Sequence, residues 1–208
     1  MISNIVVELP YQAVMAVIMF VCFYYPIGLD ANARADNAVH ERGGLFFLFV
    51  LEFMIFTSTF THMVIAGIPD AESGGNIANL MFSLTLIFCG VLAPPQALPG
   101  FWIFMYRISP FTYLVDGMLS TAIANTRVEC APTEFVEFSA PQGATCRQFL
   151  EPYMDEVGGY LQDPEATGTC SFCTYDRTNF FLEQVSSDYS NRWRNFGESF
   201  FYYKDWLL

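Results

Sequence analysis

Four cysteines in the carboxyl-terminal part of the sequence have the most evident chemistry, as zinc ligands or as disulfide partners. Zinc ligands come in closely spaced pairs, and only Cys170 and Cys173 have that spacing, whereas Cys130 and Cys146 stand far apart. No histidine follows His62, which argues against a mixed cysteine and histidine site. The pattern favours two disulfides, and of the three possible pairings we expect the nested one, Cys130 with Cys173 and Cys146 with Cys170.

The compartment follows from these cysteines. A thioredoxin-like role for Cys170 and Cys173 would require a surrounding βαβ pattern, which the sequence lacks. Disulfides persist in an oxidising compartment, so the segment that contains them is expected to lie outside the cytosol. Cys22 and Cys89 stand inside apolar runs, and we expect them to be free thiols that pack as small apolar residues.

Other catalytic chemistry finds no support in the sequence. It contains no GxxxxGK[ST], no GxGxxG, no GxSxG and no HExxH motif. Its two histidines, His40 in a polar segment and His62 in an apolar one, argue against a catalytic triad or a metal centre. We therefore expect no catalytic residue, no metal and no cofactor in this chain, and we do not expect an enzyme.

The composition is that of a membrane protein. Of 208 residues, 53% are hydrophobic and only 14% are charged, which is too apolar for an ordinary soluble domain. Nine Lys and Arg stand against 21 Asp and Glu, giving a net charge of −12. Nucleic-acid binding needs a basic surface for the phosphates, so this class of partner is excluded.

Three apolar segments predict membrane helices within a domain of residues 1–93: about 11–29, 45–68 and 76–92. About 20 apolar residues suffice to cross a bilayer as a helix. The polar residues 30–44, which separate the first two segments, are predicted to form a loop.

The second segment carries one acid, Glu52, which shares a helix face with Thr59. An ionisable group inside the hydrocarbon is costly and should face protein or water. We expect Glu52 to pack against a neighbouring helix through a hydrogen bond, and a proton relay or a substrate contact is the alternative. A structural role is likewise expected for His62.

The stretch FWIFMYRISPFTYLVDGMLS, at 101–120, is apolar but is not expected to cross the membrane. Arg107 would lie near mid-membrane, and Pro110 removes a backbone hydrogen bond that lipid cannot replace. We predict that residues 94–124 form two short external helices that dip into the membrane surface and return. An ordinary amphipathic helix at the interface is the alternative.

Residues 125–197 have the composition of a folded aqueous segment and contain the four cysteines. We predict that they form an extracellular loop, which by counting spans places Met1 in the cytosol. The positive-inside rule does not support this orientation, because the predicted external loop contains Arg34 and Arg42. The cysteines are given more weight than this small charge bias.

Several long motifs occur in one order along the chain: ELPYQ at 8–12, YYPIGL at 24–29, the run from LIFCGVLAPPQALPG to ANTRVECA, GTCSFC at 168–173 and SNRWRNFG at 190–197. Together they closely resemble the last membrane domain of fungal pleiotropic drug resistance transporters. These proteins are full-length members of the G subfamily of ATP-binding-cassette exporters. The resemblance covers nearly the whole chain.

The resemblance implies an all-α membrane fold of the ABC-2 type in an ATP-driven exporter of amphipathic drugs or lipids. Its partners would be the lipid bilayer, hydrophobic small molecules and other parts of the transporter, as a multi-pass protein of the plasma membrane. ATP and Mg²⁺ would be bound elsewhere in the full-length relatives.

The resemblance also assigns individual positions. The helix that matches the third segment lines the substrate cavity in the family, which implies that Phe82, Ser83 and Leu86 face this cavity. Val91 and Leu92 match the apolar plug that closes its outer end. The motif ISPFTY matches the re-entrant element above the plug.

The chain also departs from the family pattern. The family has a nucleotide-binding domain before its membrane helices and a final span after the motif RWRNFG. Here residues 198–208, ESFFYYKDWLL, follow that motif and are too short and too charged to cross a bilayer. These departures suggest a fragment of the transporter, and the alternative is a non-transporting membrane protein, or a non-functional gene fragment, whose ectodomain binds a partner.

Overall fold

The structure, a computed structural model, describes residues 2–68, 70–141 and 143–207. Met1, Pro69, Gln142 and Leu208, which belong to predicted segments, lie outside the described residues. The chain divides into two compact units. The first, called here the helical unit, contains Met1–Ala124 and Gln184–Leu208, and the second, called the disulfide unit, contains Asn125–Glu183.

The helical unit begins with α1 (Ile2–Tyr24), α2 (Leu29–Ala35), α3 (Val39–Gly67) and α4 (Ala71–Ile87). Within the described residues, two helical stretches are long and apolar enough to cross a membrane, Val7–Tyr24 in α1 and Val39–Val64 in α3. The helix α4 has 17 residues, so that a third span remains a prediction.

Residues 30–44 differ from the predicted loop, because α2 occupies the first half of this segment and α3 begins at Val39. Ala33 is fully buried, and Arg34 forms an ion pair with Asp30 one turn earlier. The segment lacks an apolar periodicity, but its alanines let α2 pack closely against α3 and α6 (Pro110–Ile123).

The third predicted segment is helical only in part. Asp70 caps α4 by accepting hydrogen bonds from the backbone N–H of Ser73 at 3.0 Å and from its hydroxyl at 2.7 Å. These hydrogen bonds, the hydroxyl first, lower the pKa of Asp70. The helix ends at Ile87, because Gly90 turns the chain with a φ of 96° that side chains rarely adopt.

Aromatic rings form much of the core of the helical unit, around Phe49, Phe56 and Phe60 of α3. Phe56 meets Phe111 of α6 edge to face, with ring centroids 5.6 Å apart. Phe49 is fully buried and occupies the space where Gly117 of α6 has no side chain. A Cβ atom at Gly117 would overlap the ring, so glycine permits the close approach of the two helices.

The disulfide unit combines an antiparallel sheet with two helices. The central strand β3 (Thr169–Cys173) pairs with β1 (Val136–Ser139) and β2 (Tyr160–Leu161). Two disulfides join the nested cysteine pairs, with Cα–Cα distances of 6.0 Å for Cys130–Cys173 and 5.4 Å for Cys146–Cys170. The predicted pairing is confirmed, and Cys22 and Cys89 are free.

The helix α7 (Cys146–Val157) packs on this sheet. A capping box between Thr145 and Gln148 begins it, and Cys146, Leu150 and Phe172 form the core below. The helix α8 covers Thr178–Gln184. The disulfide unit therefore ends well before residue 197, the predicted boundary, because the following residues pack against the helical unit instead.

Candidate functional site

The three positions assigned to a cavity by resemblance lie within one turn of α4 but have different surroundings. Phe82 is partly buried, and its ring meets Phe60 at 5.1 Å and Phe111 at 5.9 Å edge to face. Ser83 is exposed, with its hydroxyl donating to the carbonyl of Asn79 at 2.8 Å. Leu86 is 47% exposed. Phe82 thus packs in the core, whereas Ser83 and Leu86 remain exposed.

The free surface of α4 is extensively apolar. Large side chains remain exposed on several sides of the helix: Ile77, Leu80, Met81, Leu84, Leu86 and Ile87. Contiguous apolar surface of this kind marks contact with lipid, another protein segment or a greasy ligand. The hydroxyl of Ser83 adds a weak polar contact among these apolar side chains, and its donor already serves the backbone.

The two predicted plug residues follow α4 in a turn and not in a helix. Val91 is 41% exposed and Leu92 is 72% exposed. The turn is held from one side by Tyr106, whose ring lies against Gly90, where a Cβ atom would come within 2.8 Å of it. Leu92 is therefore exposed in the turn that follows α4.

Two short helices, α5 (Ile103–Ile108) and α6, meet at Ser109 in an extended bend. Pro110 begins α6, where its missing N–H costs little. The hydroxyl of Thr112 donates to the carbonyl of Tyr106 at 2.8 Å and closes the corner. The prediction of two helices joined at Ser109 and Pro110 agrees with the structure, while their depth in a membrane remains a prediction.

The two charged residues of the stretch 101–120, Arg107 and Asp116, have different surroundings. Arg107 is exposed on α5, whereas Asp116 is partly buried on α6. The amide of Asn195 donates to the carboxylate of Asp116 at 2.5 Å, and the hydroxyl of Ser187 donates to the backbone carbonyl of Asp116 at 3.4 Å. The carboxyl-terminal segment thus supplies a partner for one carboxylate oxygen and for the backbone carbonyl of Asp116.

The motif SNRWRNFG explains how this segment is attached. It forms the first part of α9 (Arg192–Leu207), preceded by a 3₁₀ turn at Tyr189–Asn191. Glu41 at the start of α3 accepts hydrogen bonds from Arg192 Nη2 at 2.6 Å and from Trp193 Nε1 at 3.3 Å. The ring of Phe196 packs edge to face on Phe49, at 5.5 Å.

Tyr189 is held between two arginines. The guanidinium of Arg42 lies 4.8 Å from the centre of its ring, and that of Arg192 lies 4.0 Å away. The preceding Asp188 caps the 3₁₀ turn, and the hydrogen bond from the backbone N–H of Ser190 lowers the pKa of Asp188. The turn is thereby fixed on the first residues of α3.

Arg42 was assigned to an external loop by sequence but is 2% exposed in the structure. It forms an ion pair with Asp36, and its Nη2 donates to the carbonyl of Ala124, at the end of α6, at 2.9 Å. Sequence reasoning missed this role, because Ala124 lies 82 positions further along the chain.

Two ionisable residues of α3, Glu52 and His62, lie against other helices. Glu52 is 6% exposed and lies beside Ser199 of α9. His62 meets Glu8 of α1, with 2.9 Å between Nε2 and Oε1, and Ser58 donates to the same carboxylate. His62 and Glu8 thus join α1 to α3, as expected for a structural histidine, and the motif ELPYQ supplies the carboxylate.

The family model of the ABC-2 type transporter matches residues 1–123, which include α1 to α6. The chain belongs to this family. ABC multidrug transporter C of Aspergillus fumigatus is 59% identical over 197 residues, which are 95% of this chain and 13% of the relative.

Other fungal relatives give the same result. ABC multidrug transporter atrG of Aspergillus oryzae is 58% identical over 95% of the chain and 13% of its own length. ABC multidrug transporter AFR2 of Cryptococcus neoformans var. grubii is 53% identical over 94% of the chain and 13% of its own length. The chain therefore corresponds to a part of the membrane domain of ABC multidrug transporters and spans about an eighth of the length of these relatives.

Proposed function

We propose that this chain forms part of the substrate pathway of an ATP-driven exporter of amphipathic drugs or lipids in the plasma membrane. The observation that supports this most directly is that Leu86 of α4 and Leu92, which follows α4, remain exposed. A face that offers dispersion contacts and few polar groups binds varied apolar molecules with little discrimination. The multidrug transporters that the chain resembles are named for such breadth.

In this proposal Ser83 and Leu86 contact the transported molecule, and Val91 and Leu92 close the outer end of the path. Phe82 has a different part, because its packing on Phe60 and Phe111 fixes the rotation of α4 and thus the direction of its neighbours. The pair α5 and α6 would lie in the outer membrane surface as a re-entrant element. ATP and Mg²⁺ would be bound by other parts of the transporter.

The proposal is tested by placing tryptophan on α4 at the aligned positions of the Aspergillus fumigatus relative, expressed in a drug-sensitive yeast. Ser83→Trp and Leu86→Trp would narrow the path without adding charge, so efflux of a fluorescent drug should fall at least about tenfold, the equivalent of about 1.4 kcal/mol. Leu84→Trp is the matched control, because Leu84 is 37% exposed and points about 160° away from Leu86 on the helix.

ATP binding and surface expression must be unchanged for the result to count as a block of the path. Efflux that stays normal in both Ser83→Trp and Leu86→Trp would remove these positions from the pathway. An equal loss of efflux in the Leu84→Trp control would show that α4 tolerates no large side chain on any side. That result would also contradict the assignment of Ser83 and Leu86 to the path. Charged substitution at Leu86 or Leu92 should abolish efflux in the same assay.

A further inference from the structure

The disulfide unit presents one helix edge of large side chains that stay partly exposed, although the ring of Tyr153 also meets the core residue Phe172, with ring centroids 5.7 Å apart. The helix α7 buries Cys146 and Leu150. Beside this buried face, Phe149, Tyr153 and Val157 follow one another at intervals of four residues and remain 40%, 45% and 37% exposed. Because residues four apart lie on the same side of a helix, the three side chains form one stripe.

The stripe continues onto the next helix. Phe180 of α8 is 40% exposed, and its ring lies within 3.0 Å of the position that a Cβ atom would take at Gly158, just after Val157. We call Phe149, Tyr153, Val157 and Phe180 the aromatic stripe. Its support is rigid, because the Cys146–Cys170 disulfide joins the first residue of α7 to the central strand.

The charge around the stripe is strongly acidic. Glu156 lies one turn from Tyr153, and Glu151 and Asp155 occupy the solvent side of α7. The whole unit has ten carboxylates and three guanidinium groups, with no lysine. The acids are Glu129, Glu134, Glu137, Glu151, Asp155, Glu156, Asp163, Glu165, Asp176 and Glu183, and the bases are Arg127, Arg147 and Arg177.

This charge selects among the partners that the stripe could take. A second copy of the unit would bring the same negative charge, and an anionic membrane surface would also repel it. A basic partner gains attraction from the acids and burial of its apolar side chains on the rings. We propose that the aromatic stripe docks a basic, apolar-bearing segment of another extracellular protein domain. This proposal does not depend on the proposed function in transport.

The full chain can be tested in nanodiscs of zwitterionic phosphatidylcholine. The probe is a fluorescein-labelled amphipathic peptide of leucine and lysine, with a leucine and glutamate peptide of the same pattern for comparison and empty nanodiscs as the lipid background. We expect saturable binding of the basic peptide above that background, little binding of the acidic peptide, and affinity that falls between 50 and 500 mM salt, as screening predicts.

Two variants separate the stripe from charge alone. Phe149→Ser should weaken binding about fivefold or more, as for a contact residue of an interface, and Glu156→Lys should weaken it and reduce its salt dependence. Val136→Ser is the matched control, because Val136 is 45% exposed in the same unit but belongs to β1, and it should bind as the wild type does. Blocked cysteines and an unchanged circular dichroism spectrum establish folding.

Several results would overturn the proposal. Unchanged binding in both Phe149→Ser and Glu156→Lys would show that the stripe is not the docking surface, even if the basic peptide binds. Concentration-dependent dimerisation that Phe149→Ser abolishes would assign the stripe to a second copy. Stronger attachment to vesicles with anionic lipid than to neutral ones, lost in Phe149→Ser, would assign it to the membrane.

Discussion

Arg192 Nη2 and Glu41 Oε1 lie 2.6 Å apart, although the two residues are separated by 151 positions in the sequence. The contact holds the first turn of α9 against the first turn of α3. Trp193 donates to the same carboxylate oxygen, and Tyr189 stacks beneath Arg192. The motif SNRWRNFG therefore acts as an attachment point for the carboxyl-terminal helix.

Loss of this attachment should be measurable as a loss of stability. Glu41→Gln and Arg192→Gln should each lower the free energy of unfolding by up to about 1 kcal/mol, since the pair is partly exposed. The charge exchange, Glu41→Arg with Arg192→Glu, should recover part of that loss. Denaturation of the purified chain in detergent provides the measurement, and Glu198→Gln, which affects only a 3.8 Å exposed pair with Arg194, is the control. No recovery in the exchanged pair would contradict a direct interaction.

A side chain at Gly117 should separate α6 from α3. Gly117→Ala would place a methyl group in the ring of Phe49, and overpacking of this kind costs about 1–3 kcal/mol. Gly44→Ala is the matched control, because Gly44 lies in α3 with nothing within 4 Å of its Cβ position. It should be neutral or stabilising by up to about 1 kcal/mol. Equal thermal stability of both variants would mean that the helices do not meet at Gly117.

The disulfides should dominate the stability of residues 125–183. Replacing Cys146 and Cys170 by serine removes a link across a sequence separation of 24, and such links contribute about 2–4 kcal/mol. Non-reducing electrophoresis with a maleimide should label Cys22 and Cys89 in the denatured wild-type chain, and the other four cysteines only after reduction. Labelling of all six cysteines before reduction would refute the pairing.

The orientation of the chain can be tested with trypsin on sealed cells. Arg147 is exposed on α7, between the two cysteines of the Cys146–Cys170 disulfide. If this unit is extracellular, trypsin should cut there, and the fragments should remain joined until a reductant is added. Permeabilised cells provide the control. Protection in sealed cells together with cleavage after permeabilisation would invert the predicted topology.

Local patterns predicted the parts of this fold that local physics decides. The apolar runs predicted long helices, Pro110 predicted a bend, and the cysteine spacing predicted disulfides in place of a zinc site. Local patterns did not predict α2, because its packing depends on Ala33 meeting distant helices. The contact between Arg192 and Glu41 could not be predicted from the sequence either, because nothing in either segment specifies a partner so far along the chain.

The surroundings of the three cavity residues on α4 could not be predicted from the sequence either. The resemblance assigned Phe82, Ser83 and Leu86 to one cavity, because each position was given the role of the matching position in the family. The structure separates Phe82, which packs on Phe60, from the exposed Ser83 and Leu86. Which residues of α4 are covered depends on how α4 packs against α3 and α6, and a sequence pattern that is apolar on all sides does not predict this packing.

The contact of Arg42 with the carbonyl of Ala124 has a consequence for the electrostatics of α6. The last carbonyls of a helix concentrate a partial negative charge, and this charge is poorly compensated where water is scarce. Arg42 brings a full positive charge to that end from a neighbouring helix. Arg42 thus satisfies a carbonyl group that has no partner within the helix and interacts favourably with the negative end of the α6 dipole.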